Sequence, residues 1–352
     1  MPTSFLAATW VKMAAHVHPS HAYLLQLTQA CVGSSRAPST FHRYEGPWQR
    51  FTRWCRHFGY VSLPALPITV AMFLTHLLQR CSRYGHGYGV LRMASAAIFQ
   101  AHKLANFHNI TSHPVVVSVR DCAKRVLVNG YLNRKEPLTR DTCVAVVLHI
   151  LNSHMTVPNY RLQLATFIMV CFAGFLRYND ATHIFCDEIR FYPTHMEVFL
   201  ETRKNRQFRE GNVVFIARGK SVVCPVALTH RLLTLNGSFG QHVPLFRSYD
   251  GRKVRGLSDR SVALSHHPWA YAQARQAVFK AMSSCLHIPT HSLLAVYGLH
   301  SLRSGGATCV AAQNIPVFHF QRHGGWVDAR SVAVYVKASL DHRLLPTACL
   351  GF

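Results

Sequence analysis

From Ser39 onward, apolar side chains recur every three or four residues, at Phe41, Tyr44, Trp48, Phe51, Cys55 and Phe58, with Arg43, Arg50, Arg53 and Arg56 falling between them. That period is helical and sets a basic face against an apolar one. Gly46 and Pro47 interrupt it, and the pattern allows either a kink there or a fresh helix with Pro47 in its first turn. Further helical patterns cover Thr69 to Arg83, Tyr88 to Leu104 and Pro114 to Val128, each bounded near Gly, Pro, Asn or Ser. Residues 35–128 therefore read as a helical domain behind an N-terminal extension, 1–34.

The polar stretch Asn129 to Thr139, with Gly130, Pro137 and the basic pair Arg134 and Lys135, has linker composition. A second domain is expected over 140–345, with a short tail at 346–352. It opens with helical patterns at Arg140 to Met155 and Tyr160 to Phe175. Between His183 and Val226 the character changes, and the β-branched and apolar runs Met196 to Leu200 and Val213 to Ile216 predict a small antiparallel sheet. The polar, basic segment Glu201 to Asn212 joins those runs as a hairpin loop. Helical periodicity returns at Pro225 and is expected to dominate to the end. The fold class is mainly α with a small antiparallel β-sheet, arranged as a helical domain followed by an α+β domain.

Composition changes this picture chiefly through charge. In 352 residues, 38 Lys and Arg stand against 14 Asp and Glu, a net +24 with histidine neutral. A polyanionic partner follows. The basic residues are spread along the whole chain rather than gathered beside an apolar anchor, which favours nucleic acid over an anionic membrane. The longest apolar run, Leu164 to Leu176, is shorter than the roughly 18 to 20 residues of a membrane span and reads as a core helix. Phe5 to Trp10 lacks the preceding basic segment of a secretory signal, so the protein is expected to stay inside the cell. The 11 cysteines include no CxxC pair, and Cys55, Cys81, Cys143 and Cys171 sit in apolar helical runs as reduced core residues. No His or Cys spacing fits a zinc finger.

Breaking a phosphodiester without a metal requires a nucleophile, cations for two non-bridging oxygens, an acid for the leaving oxygen and a base for the nucleophile. The C-terminal half carries residues of all four kinds. In Gly174-Phe175-Leu176-Arg177-Tyr178-Asn179-Asp180, Arg177 ends an almost wholly apolar helix. A guanidinium at the edge of a core calls for an anion, which could be a bound phosphate or Asp180. In His300-Ser301-Leu302-Arg303, His and Arg are three apart and share a helix face, and the small residues Ser304-Gly305-Gly306-Ala307-Thr308 after them permit close packing. Gly324-Gly325-Trp326 is followed nine residues after the Trp by Tyr335.

In these three motifs and their order, the chain resembles the tyrosine recombinase or phage integrase family, and the GGW with its following Tyr is most similar to Cre-type members. The resemblance implies a catalytic set of Arg177, Lys204, His300, Arg303, Trp326 and Tyr335. His323 is a rival to Trp326, which has the better spacing to Tyr335. Lys204 falls in the basic hairpin loop, flanked by Arg203 and Arg206, and these two with Arg43, Arg50 and Arg53 are the expected DNA contacts. What the resemblance implies of the whole is a helical core-binding domain and a catalytic domain closing on double-stranded DNA. Tyr335 would form a 3′-phosphotyrosine without cofactor or metal, in a homotetramer linked by C-terminal segments. Two other readings share much of this chemistry: a type IB topoisomerase, and a DNA-binding protein descended from a recombinase that no longer cuts. The HSLR-SGGAT form and Trp54-Cys55 look like recombinases of cryptons or DIRS-type retroelements, which would place the protein in a nucleus if the source is eukaryotic and in the cytoplasm otherwise.

Overall fold

The computed structural model describes residues 17–34, 38–128, 135–153, 157–200, 212–253, 262–313, 315–333, 344 and 347–350. The chain divides into two units, Met1–Asn133 and Arg134–Phe352. The first holds helices α1 (Ala22–Ser34), α2 (Pro38–His57), α3 (Pro67–Tyr84), α4 (Gly89–Leu104) and α5 (Pro114–Leu127). Trp48, Phe51 and Cys55 of α2 bury against Phe73 and Leu74 of α3, Leu91 and Ile98 of α4, and Val116 and Ala123 of α5. Helix α2 runs through Pro47 as one element, so no fresh helix begins there. An interior proline costs about 3 kcal/mol, and burying the large apolar side chains that follow it, at roughly 1.5 to 3 kcal/mol each, outweighs that.

A buried histidine ties this unit together. His102 is 1% exposed; its Nε2 accepts the backbone N–H of Ala65 at 2.9 Å and its Nδ1–H donates to Ile98 O at 2.8 Å. The loop before α3 is thereby fixed to α4. Burial holds the His102 pKa below the usual histidine value.

The second unit is built around α7 (Pro158–Ala173), whose residues Leu162 to Phe172 are all buried. A helix apolar on every side must be enclosed. Helices α6 (Arg140–Asn152), α9 (Pro225–Asn236) and α12 (His300–Ala311) pack against it. The short α8 (Tyr178–Thr182) follows α7 and leads into β1 (Ile189–Phe191), β2 (His195–Leu200) and β3 (Asn212–Ala217), an antiparallel sheet in that order. Ile189 and Val214 both pair with Val198. The loop expected between β2 and β3 lies outside the described residues over 201–211.

Helix does not dominate from Pro225 to the end without interruption, as the periodicity suggested. A second antiparallel pair, β4 (Arg247–Lys253) and β5 (Val262–Pro268), intervenes. Its cause is tertiary. The side chain of Gln163, fully buried on α7, takes the place of a neighbouring strand, its Oε1 accepting Arg247 N–H and its Nε2 donating to Arg247 O, both at 3.0 Å. Helices α10 (Tyr271–Leu286), α11 (Thr290–Val296), α13 (Val317–Gly324) and α14 (Ala329–Ala333) complete the unit. Among the described residues no helix is long and apolar enough to cross a membrane, and no cluster of three or more His, Cys, Asp or Glu could hold a metal ion. All eleven cysteines are free thiols, and burial raises Cys55 to about 11 and Cys143 to about 12.

Candidate active site

The turn that ends α7 is the hub of the site. Leu176 N–H donates back to Cys171 O at 3.0 Å, and Phe175 takes a left-handed backbone, φ 47°, which side chains other than glycine seldom adopt. This swings the chain out of the core and sets Arg177 at the N-cap of α8. Asp180, 3% exposed, accepts the Arg177 backbone N–H at 3.1 Å, and its Oδ2 lies 3.6 Å from Arg177 Nη1. The internal anion that the sequence allowed for is therefore present. It also orients the arginine, whose side chain keeps 18% of its surface exposed and whose guanidinium carries five N–H donors.

Arg303 reaches the same turn from α12. It is fully buried, and its guanidinium donates from Nη1 to Phe175 O and from Nη2 to Gly324 O, the latter at 2.9 Å. Its Cζ stands 4.2 Å from the centre of the Trp326 ring, within cation–π range. Trp326 is itself 4% exposed and packs in a small apolar cluster with Phe175, Ala307 and Val332. One arginine thus joins the end of α7 to the end of α13 beneath the indole. His300, one turn earlier on α12, is exposed.

Glycine makes this convergence possible. A Cβ on Gly305 would lie 2.0 Å from Leu138 O, and one on Gly306 would lie 2.1 Å from Phe172 O. Only bare backbone lets α12 approach α7 closely enough for Arg303 to reach Phe175. Gly324 has the same character, since a Cβ there would meet the Trp326 ring.

Of the residues singled out from sequence, Arg177, Arg303 and Trp326 gather around Phe175, and His300 stands on the same helix as Arg303. His323 joins the hub by another route: its Nε2–H donates to Ala173 O at 2.8 Å and its ring meets that of Phe175 edge-on at 4.7 Å. Arg43, Arg50 and Arg53 are exposed on α2. Lys204, Arg203, Arg206 and Tyr335 lie outside the described residues. Sequence reading missed Phe175 itself, whose carbonyl and ring organise the hub. Its only signal was adjacency to Arg177.

No family model matches the chain. A search of curated proteins finds an integrase/recombinase xerD homolog of Selenomonas ruminantium, 25% identical over 313 residues that span 86% of this chain and 82% of that protein. Among solved structures, the XerH site-specific recombinase bound to palindromic difH substrate superposes with a TM-score of 0.53 at 15% identity, over 78% of this chain and 71% of that one. The Tn1549 transposon integrase in complex with transposon right end DNA does so with a TM-score of 0.53 at 12% identity, over 87% and 99%. The chain is thus similar, along most of its length, to an integrase/recombinase, and it shares its fold with a site-specific recombinase and a transposon integrase.

Proposed function

We propose that the protein is a site-specific DNA recombinase that cuts and rejoins strands through a 3′-phosphotyrosine on Tyr335. The observation that carries this is the convergence of Arg177, Arg303 and Trp326 on one turn, with His300 on the Arg303 helix, in a chain with a net charge of +24. The Tyr335 hydroxyl oxygen bonds to the scissile phosphorus as the bond from phosphorus to the 5′ oxygen breaks. The phenol, with a pKa near 10, gives its proton to His300. Lys204 supplies a proton to the departing 5′ oxygen, Arg177 donates to the non-bridging oxygens, and the buried charge of Arg303, whose Nη groups hold Phe175 O and Gly324 O, offsets the developing charge from within the core. Trp326 offers one indole N–H. The covalent link conserves the bond energy, so the reverse steps reseal the strand without cofactor. Residues 35–128 would serve as the core-binding domain and 140–345 as the catalytic domain, and the exposed Arg43, Arg50 and Arg53, like Arg203 and Arg206, would contact DNA.

A homotetramer on DNA would be joined through an apolar groove and a C-terminal segment. An apolar groove of about 660 Å³ lies behind the hub, lined by Phe172, Phe175, Phe215, Gly306 and Ile315, and Val317 and Phe318 stand half or more exposed near its lining residues. Leu344, Leu345, Leu350 and Phe352 follow Tyr335 within one short apolar segment, suited to such a groove on a neighbouring copy. The HSLR-SGGAT form favours a mobile element as the source.

The deciding experiment incubates wild-type and Tyr335→Phe protein with nicked duplexes drawn from the DNA flanking its own gene, followed by denaturing electrophoresis. Wild type is expected to form a covalent protein–DNA adduct. The variant should bind the same DNA and form none; an adduct in the variant rejects Tyr335 as nucleophile. Relaxation of a supercoiled plasmid without a target site would instead indicate topoisomerase action.

A further inference from the structure

The last carbonyls of α7 find their donors one by one. Val170 O accepts Gly174 N–H at 2.9 Å, Cys171 O accepts Leu176 N–H at 3.0 Å, and Phe172 O accepts Phe175 N–H at 3.5 Å. The carbonyl of the final helical residue, Ala173 O, is met from another helix, by the Nε2–H of His323 on α13 at 2.8 Å. A carbonyl oxygen only accepts, so Nε2 carries the hydrogen. The closing carbonyls of a helix lack intrahelical partners, and here a histidine 150 positions away along the chain supplies the cap. The same imidazole meets the Phe175 ring edge-on at 4.7 Å, and the Phe175 ring lies 6.1 Å from that of Trp326.

These contacts close a circuit. Arg303 donates to Phe175 O on one side and to Gly324 O on the other. Phe175 lies two residues after Ala173, and Gly324 follows His323 directly. The bond from His323 to Ala173 O therefore sets the spacing of the two carbonyls that Arg303 spans. Phe175 holds its left-handed φ of 47° at a cost of about 1 to 3 kcal/mol, and such a conformation persists only where its surroundings over-determine it. We infer that His323 is a positioning residue of strand cleavage: its bond to Ala173 O keeps the Phe175 turn left-handed, so that the turn presents Arg177 and anchors Arg303. The inference rests on the recombinase reading for the reaction itself. In this role His323 does not touch the phosphate, since its Nε2–H is committed to Ala173 O and its side chain lines the apolar groove behind the hub.

The test compares the full-length wild type with two variants. His323→Phe keeps a ring against Phe175 and loses the donor, whereas His323→Gln keeps an N–H donor and loses the ring. Each protein is held well below its own melting temperature and read for affinity to a nicked duplex, for the single-turnover rate of adduct formation at saturating protein, and for amide hydrogen exchange over residues 174–177. His323→Phe is expected to bind DNA as wild type does and to exchange the turn amides faster. Its adduct should form about 10- to 100-fold more slowly, the scale of loss that a displacement of about 1 Å in a catalytic constellation brings. His323→Gln should recover most of the rate and of the exchange protection. A wild-type rate in His323→Phe, or a His323→Gln protein as slow as His323→Phe, overturns the proposal. So does a fall in DNA affinity that accounts for the whole loss of rate, which would make His323 a DNA contact. Failure of the recombinase reading has a different signature. Wild type would then give no adduct either, and the exchange comparison would still decide whether His323 holds the turn.

Discussion

Gly305 and Gly306 carry a prediction at the scale of a single methyl group. Alanine at either position drives a Cβ to about 2 Å from a backbone carbonyl oxygen on the packing partner, where no rotamer can relieve it. Gly305→Ala should destabilise the second unit by about 1 to 3 kcal/mol or more, read as a lower Tm and a loss of adduct. Arg303→Lys makes the complementary case. An ammonium cannot span Phe175 O and Gly324 O in one plane beneath Trp326, so adduct formation should fall by about 100-fold although the charge is kept. Wild-type rates in Arg303→Lys would show that the two-carbonyl anchor is dispensable. Gln163→Leu strands the N–H and C=O of Arg247, at about 1 to 3 kcal/mol for each buried group, and a melt less than 1 kcal/mol weaker would mean that β4 finds other partners.

Among elements, the joint between α3 and α4 is sensitive to pH. His102 must be neutral to accept the Ala65 N–H, and burial lowers its pKa below the unfolded value of about 6.5. Above that value both folded and unfolded states are neutral and the full stability is present. As pH falls below it, the unfolded chain takes up a proton that the folded chain refuses, so stability is lost down to the depressed folded pKa and then levels off. Thermal melts should show the first unit weakening below about pH 6.5, and His102→Gln should flatten that dependence while lowering stability at neutral pH. An identical pH profile in the variant would remove His102 as the cause. Helices of both units were legible from their apolar period, and Pro67, Pro114, Pro158 and Pro225 each open one where proline's fixed φ and missing N–H cost least. The β4–β5 pair was not legible, since its first residue is held by a glutamine 84 positions away rather than by local strand propensity.

For the molecule as a whole, assembly is the property to test. Ending the chain at Arg343 removes Leu344, Leu345, Leu350 and Phe352 and leaves every described member of the hub in place. Binding of one protomer to a half-site should persist, while sedimentation of the protein with full-site DNA should show loss of the higher assemblies. Assembly that survives the truncation would place the joint elsewhere.

Sequence alone determined the helical periods, the basic character and the order of Arg177, HSLR, GGW and Tyr335, because these are properties of spacing and residue type along one dimension. It gave the small residues after Arg303 a packing role, since a missing side chain is visible in the sequence. The tertiary structure decided what those residues touch. That Asp180 orients Arg177, that a strained Phe175 turn receives Arg303, and that His323 braces the same turn depend on α7, α12 and α13 meeting at one point. Contacts between residues 128 and 150 positions apart leave no periodic trace in a sequence, because what fixes them is the shape of a filled core.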